Sequence, residues 1–179
     1  MDFIEKDLEE IIWETQKTDE GRKLLAERGL DIRGKMFRQF NLGEYGTCDL
    51  LTIEFYDKYP HISVYELKRD LIDVNAVMQV CRYVTAIRRY IKYKYDSGCD
   101  VTSYLIGKTI QTNNDFVFLC NELNNIEILL YSIDINGLKF VPSVSGGWQM
   151  VGENELKGIS IIIPFCDLRK ICHWDNNPF

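Results

Sequence analysis

The most constraining stretch of this chain runs from Cys48 to Tyr95. Two segments that alternate like strands, Cys48–Tyr56 and Ile62–Lys68, flank Asp57-Lys58-Tyr59-Pro60, and a long helical pattern follows. Strands this close in sequence pair as an antiparallel hairpin. Alternation sets Asp49, Leu51, Ile53 and Phe55 on one face of the first strand, and Ile62, Val64, Glu66 and Lys68 on one face of the second. A turn centred on Asp57-Lys58 brings Asp49 opposite Glu66, provided that register holds; a slip of one residue would send every side chain to the other face.

In that register an apolar face of Leu51, Ile53, Phe55, Ile62 and Val64 ends in Asp49, Glu66 and Lys68. Two carboxylates at the edge of a core repel each other and lose hydration, which is costly unless they share a cation. Lys68 offsets one charge. A divalent metal would offset the rest, since two carboxylates plus water or phosphate oxygens is a common way to hold Mg²⁺. The plainer reading is an Asp–Lys or Glu–Lys cross-strand pair at the solvent end of the hairpin. The tripeptide Glu66-Leu67-Lys68 does not decide between them, because Glu155-Leu156-Lys157 repeats it. The second copy has no aspartate to face it and runs into the strand-like GISIIIPF, so it reads as a solvated loop.

Around the hairpin, Ile4, Leu8, Ile11, Ile12 and Thr15 recur at helical spacing within residues 2–15, and Asp2 with Glu5 fits a capping box. Glu5 and Glu9 lie one turn apart on this helix. A polar stretch leads to an extended segment, Lys35–Phe40, and the turn-like LGEYG. Gly46 then stands where the chain can turn tightly ahead of Asp49. Asp73 can cap a helix reaching about Tyr95, with Val77, Val80, Val84, Ile87 and Ile91 as its core stripe. Beyond it come a strand, VTSYLIGK, and a short helix after Asn113-Asn114-Asp115. Next is a hairpin of Ile126–Asp134 and Leu138–Val141 around Asn136-Gly137, then a loop, a strand and a short last helix.

The chain has 179 residues, 46% of them hydrophobic and 27% charged, which suits a single domain over 1–179. No apolar run approaches the roughly 20 residues of a membrane helix, and MDFIEKDLEE lacks a secretory apolar block. A cytoplasmic protein without a membrane partner is expected. Six cysteines, at 48, 81, 99, 120, 166 and 172, form no paired motif and read as buried free thiols. A net charge of −6 argues against holding nucleic acid through global charge, though not through a local patch. Arg88, Arg89, Lys92 and Lys94 read as a solvated helix face.

Taken in order, Glu5 on a helix, Gly46 through Asp49, Glu66 through Lys68, and Gln79 through Tyr83 on the next helix resemble the PD-(D/E)XK nuclease superfamily, in its RecB-like and NucS-like branch. The resemblance covers residues 1–107, with 108–179 as a C-terminal extension of the same domain. It implies an α/β (α+β) fold: a restriction-endonuclease-like core with a mixed central sheet flanked by helices in the order αβββαβ, here followed by a β-hairpin extension. It also implies hydrolysis of phosphodiesters with Mg²⁺ or Mn²⁺ held by Asp49, Glu66 and the Leu67 carbonyl, and Glu5 as a further metal ligand. Lys68 would orient or deprotonate water, Gln79 and Tyr83 would position water or phosphate, and Arg38 and Gln39 would meet the nucleic-acid backbone. DNA is the implied partner, with RNA, a homodimer or a partner protein left open. The alternative is a non-catalytic protein of nuclease fold that regulates by binding nucleic acid or protein.

Overall fold

The expected hairpin forms in the register derived above. β2 (Thr47–Tyr56) and β3 (Tyr59–Leu67) pair antiparallel, with Leu50 facing Tyr65, Leu51 facing Val64 and Ile53 facing Ile62; the same register, carried one step further, sets Asp49 opposite Glu66. Asp57 turns the chain in a left-handed conformation (φ 57°). The computed structural model describes residues 4–57, 59–96, 98–111, 115–116, 119, 123, 125–135 and 137–144, all within one unit, Met1–Gln149. The second Glu-Leu-Lys, the strand and helix expected near the end, the Asn113-Asn114 cap with most of its helix, and Cys120, Cys166 and Cys172 lie outside the described residues.

The fold is α+β, built among the described residues on a mixed six-stranded sheet in the order β1-β2-β3-β5-β7-β8. β1 (Lys35–Asn41) pairs antiparallel with β2, while β5 (Asp100–Gly107) and β7 (Ile126–Asp134) continue parallel to β3. The last described strand, β8 (Gly137–Val144), returns antiparallel to β7, with Gly137 opposite Asp134 and Lys139 opposite Ser132. Two short strands, β4 (Leu71–Ile72) and β6 (Thr109–Ile110), form a separate parallel pair.

Helices cover both sheet faces. On one, α1 (Glu5–Thr15) and α2 (Asp19–Glu27) contribute Leu8, Ile12 and Leu25 to a core with Leu50, Tyr65, Leu67, Ile106 and Phe140. On the other lies α3 (Val74–Tyr95), capped by Asp73, whose carboxylate accepts the Ala76 N–H at 2.9 Å. Val77, Val80, Ile87 and Ile91 of the expected stripe are buried, and Val84 packs against two core clusters. Leu51, Ile62 and Val64 meet this helix beside Tyr83.

Several expectations are corrected. α1 begins at Glu5 and not at residue 2, and the N–H of its cap residue Ile4 bonds to the Asp7 carboxylate at 2.8 Å; Asp2, expected to cap with Glu5, lies outside the described residues. Its buried residues are Leu8, Glu9 and Ile12, whereas Ile4 and Ile11 are exposed. The stretch expected to be merely polar holds α2, where the Thr18 hydroxyl accepts the Gly21 N–H at 3.0 Å. Phe55 is 64% exposed, because β2 and β3 run past the ends of their neighbours: β1 reaches only Ile53, and β5 begins opposite His61. Lys68 lies one residue beyond β3, although its N–H still bonds to the Ile106 carbonyl at 2.7 Å. Cys48 is buried, but Cys81 and Cys99 are only partly so; all three are free thiols.

Candidate active site

The site is assembled where β2 begins and β3 ends. Gly46 enters β2 with φ +106°, a conformation that favours glycine, and a Cβ there would lie 3.3 Å from the ring of Tyr83, close enough that the ring would have to give way slightly. Tyr83 then holds the strand in place: its hydroxyl donates to the Thr47 carbonyl at 2.7 Å and accepts the Gln79 amide at 2.6 Å. The two helix residues expected near the site are thus joined to each other. They act on the backbone two residues ahead of Asp49.

Asp49 accepts the Leu67 N–H through Oδ2 at 2.8 Å and the Gln39 amide through Oδ1 at 3.3 Å. Glu66, 2% exposed, accepts Lys68 Nζ through Oε1 at 2.6 Å, while its Oε2 is buried with no hydrogen-bond partner among the described residues. An ionised carboxylate oxygen without a partner in a buried setting is costly. Burial, aided by the charge of Asp49, accordingly pushes Glu66 up to about 7. Asp49 is pushed up to about 6 by burial, against the Leu67 bond, with Glu5 adding to the rise. Burial alone would lower Lys68, but its bond to Glu66 and the charges of Glu66, Glu5 and Asp49 outweigh that and raise it.

A second carboxylate pair lies behind this one. Glu9, 6% exposed, accepts Arg38 Nε and the Gln39 amide, the latter at 2.6 Å, and Arg38 also reaches Glu10 at 2.6 Å. Gln39 has φ 48°, a left-handed conformation that is strained for its side chain. The strand's alternation breaks there: Phe37 and Phe40 both pack on the α3 side, while Arg38 and Gln39 both reach the α1 carboxylate Glu9. Gln39 therefore links Glu9 to Asp49.

Of the residues expected from sequence, Asp49, Glu66, Lys68, Gln79 and Tyr83 come together. Glu5 stands at the margin, where its carboxylate accepts the Arg69 N–H at 3.2 Å. Arg38 and Gln39, expected to face nucleic acid, are bonded inward to Glu9. Glu9 is the deeper carboxylate of α1; its only sequence signal was its place one turn beyond Glu5.

Among the described residues no three His, Cys, Asp or Glu side chains group closely enough to hold a metal. The groups here that could hold a metal are the Asp49 and Glu66 carboxylates and the Leu67 carbonyl, with water or substrate oxygens needed to complete the shell. The partnerless Glu66 Oε2 beside a second desolvated carboxylate fits that role. Comparison with known proteins adds no relative: no family model, no curated protein and no solved structure matches the chain.

Proposed function

We propose that this protein is a metal-dependent nuclease that hydrolyses phosphodiester bonds, with DNA as substrate, at Asp49, Glu66 and Lys68. The observation that carries the reading is the buried Glu66 carboxylate, with one oxygen on Lys68 and the other without a partner, across the hairpin from Asp49. Restriction-endonuclease-like topology is supported by the order α1, β1, β2, β3, α3, β5, which is αβββαβ once α2 and β4 are set aside as additions.

Mg²⁺ or Mn²⁺ bound by Asp49, Glu66 and the Leu67 carbonyl would polarise the phosphate and make bound water a stronger acid. Lys68, kept cationic by Glu66, stabilises negative charge developing on the phosphate and orients the water beside it. Tyr83 and Gln79 keep the start of β2 at the distance that lets Asp49 face Glu66. Glu5 adds negative charge at the margin of the pair, and Glu9 fixes Arg38 and Gln39 behind it.

The test is incubation of the purified protein with plasmid DNA, linear duplex, single-stranded DNA and RNA in Mg²⁺ or Mn²⁺. Cleavage is expected in the wild type and absent in Glu66→Gln and Lys68→Ala, each still folded by circular dichroism. Activity that persists unchanged in both variants overturns the mechanism. A wild type that binds DNA without cutting any substrate supports the non-catalytic regulator instead.

A further inference from the structure

The outward side of α3 gathers cations on one element that has no carboxylate of its own. The helix carries Arg82, Arg88, Arg89, Lys92 and Lys94 and no Asp or Glu, in a chain of net charge −6. Elsewhere Lys17, Arg33, Arg38, Lys68, Arg69 and Lys108 each lie within 4.0 Å of a carboxylate. Among the described residues Arg82, Arg89, Lys92 and Lys94 have no such ion pair. Arg82, Arg89 and Tyr93 follow at seven and four residues and so share one face, with Lys92 beside them. Tyr93 is 91% exposed, and Tyr90 and Tyr95 are more than half exposed. Rings this open serve no core, and Tyr90 and Tyr93 stand beside Arg89 and Lys92, which have no ion pair among the described residues.

Cations that follow a backbone, interleaved with open aromatic rings, suit a phosphate chain whose bases are free to stack. A duplex keeps its bases inside and offers the rings nothing. The stripe spans about 16 Å from Arg82 to Tyr93 at the helical rise, and it leads to the site. Arg89 donates to the Tyr45 hydroxyl at 2.6 Å, one residue before Gly46, and Tyr83, next to Arg82, holds Thr47. We propose that this face of α3 binds single-stranded nucleic acid and delivers it to the Asp49–Glu66 site, which names the substrate class of the hydrolase and for its delivery step rests on that reading.

Binding is read in EDTA, so the result does not depend on cleavage. The probes are fluorescein-labelled oligothymidylate of 20 nucleotides and a 20-base-pair duplex, followed by anisotropy from 50 to 200 mM salt. The wild type should bind the single strand at least tenfold more tightly than the duplex. An Arg82→Ala, Arg89→Ala, Lys92→Ala triple variant should lose about 2 from the slope of log K against log salt, as about three lost phosphate contacts require. A Tyr90→Ala, Tyr93→Ala double variant should bind the single strand about tenfold or more weakly. All of these side chains are exposed, and unchanged thermal unfolding checks that the variants fold. Equal affinity for duplex and single strand, or a triple variant with the wild-type slope, overturns the proposal. So does heparin competition combined with an unaffected tyrosine variant, which would mean that the face reads negative charge alone, as an acidic protein would supply it. If single-strand binding follows these expectations while no substrate is cut, the hydrolase reading fails and the binding face stands.

Discussion

Replacing Glu66 with glutamine should make the metal-free protein more stable at pH 8, although the residue is buried and bonded. Glu66 is pushed from its ordinary 4.5 up to about 7, chiefly by burial and then by Asp49. The folded state therefore favours the protonated carboxyl, while the unfolded chain releases its proton near 4.5. Stability from this group is full below about 4.5 and is lost as pH rises through about 7. The separation corresponds to roughly 3 kcal/mol above pH 8, or about 6–12 °C in melting temperature for a chain of this size. Glutamine keeps the volume and can still accept from Lys68, but it has no charge to desolvate. Urea unfolding followed by circular dichroism from pH 4 to 8 in EDTA measures this directly. The wild type should lose stability across pH 5–8, with Asp49, raised to about 6, adding in the same direction. The glutamine variant should show a flatter profile and exceed the wild type at pH 8. Millimolar Mg²⁺ should restore the wild type and leave the variant unchanged, since only a state that binds the ion is stabilised by it. A variant that is less stable than wild type at pH 8, or that follows the same pH profile, would refute the claim that Glu66 is a desolvated, cation-seeking carboxylate.

Three further substitutions probe the supports of the site. Gly46→Ala forces a side chain into φ +106° and within 3.3 Å of Tyr83, and should cost at least about 1 kcal/mol in unfolding free energy while lowering metal affinity. Tyr83→Phe leaves the Thr47 carbonyl and the Gln79 amide without their partner and should cost about 1–2 kcal/mol, with cleavage falling more than DNA binding. Arg38→Met strands the buried Glu9 and should destabilise by about 2–3 kcal/mol in thermal unfolding. Unchanged stability with weakened DNA binding would mean that Arg38 serves the nucleic acid rather than Glu9.

What could be read from the sequence was what local chemistry determines. The Asp57-Lys58 turn and strand alternation were enough for the β2–β3 register, and with it the meeting of Asp49 and Glu66. Asp73 and the valine–isoleucine spacing were enough for α3, and Asn136-Gly137 for the last hairpin. The errors arose where distant contacts decide. α2 has a single buried apolar residue, Leu25, so its stripe is too thin to see; it also needs Gly21, whose Cβ would meet the Thr15 carbonyl at 1.8 Å. Phe55 alternates like its buried neighbours, yet it lies beyond the strands that would cover it. Glu9 is buried because Arg38 and Gln39, about thirty residues away in sequence, turn inward to meet it. The left-handed Gln39 that permits this has no sequence mark, since glutamine is not a residue that favours positive φ.

The proposed chemistry requires Asp49 and Glu66 to share one metal ion. Diffraction from crystals grown with Mn²⁺, with data collected for anomalous scattering by manganese, tests it most directly. One peak is expected, bonded to a carboxylate oxygen of Asp49, to Glu66 Oε2 and to the Leu67 carbonyl, and absent from crystals of Glu66→Gln. No peak there, or one that touches only one of the two carboxylates, would contradict it.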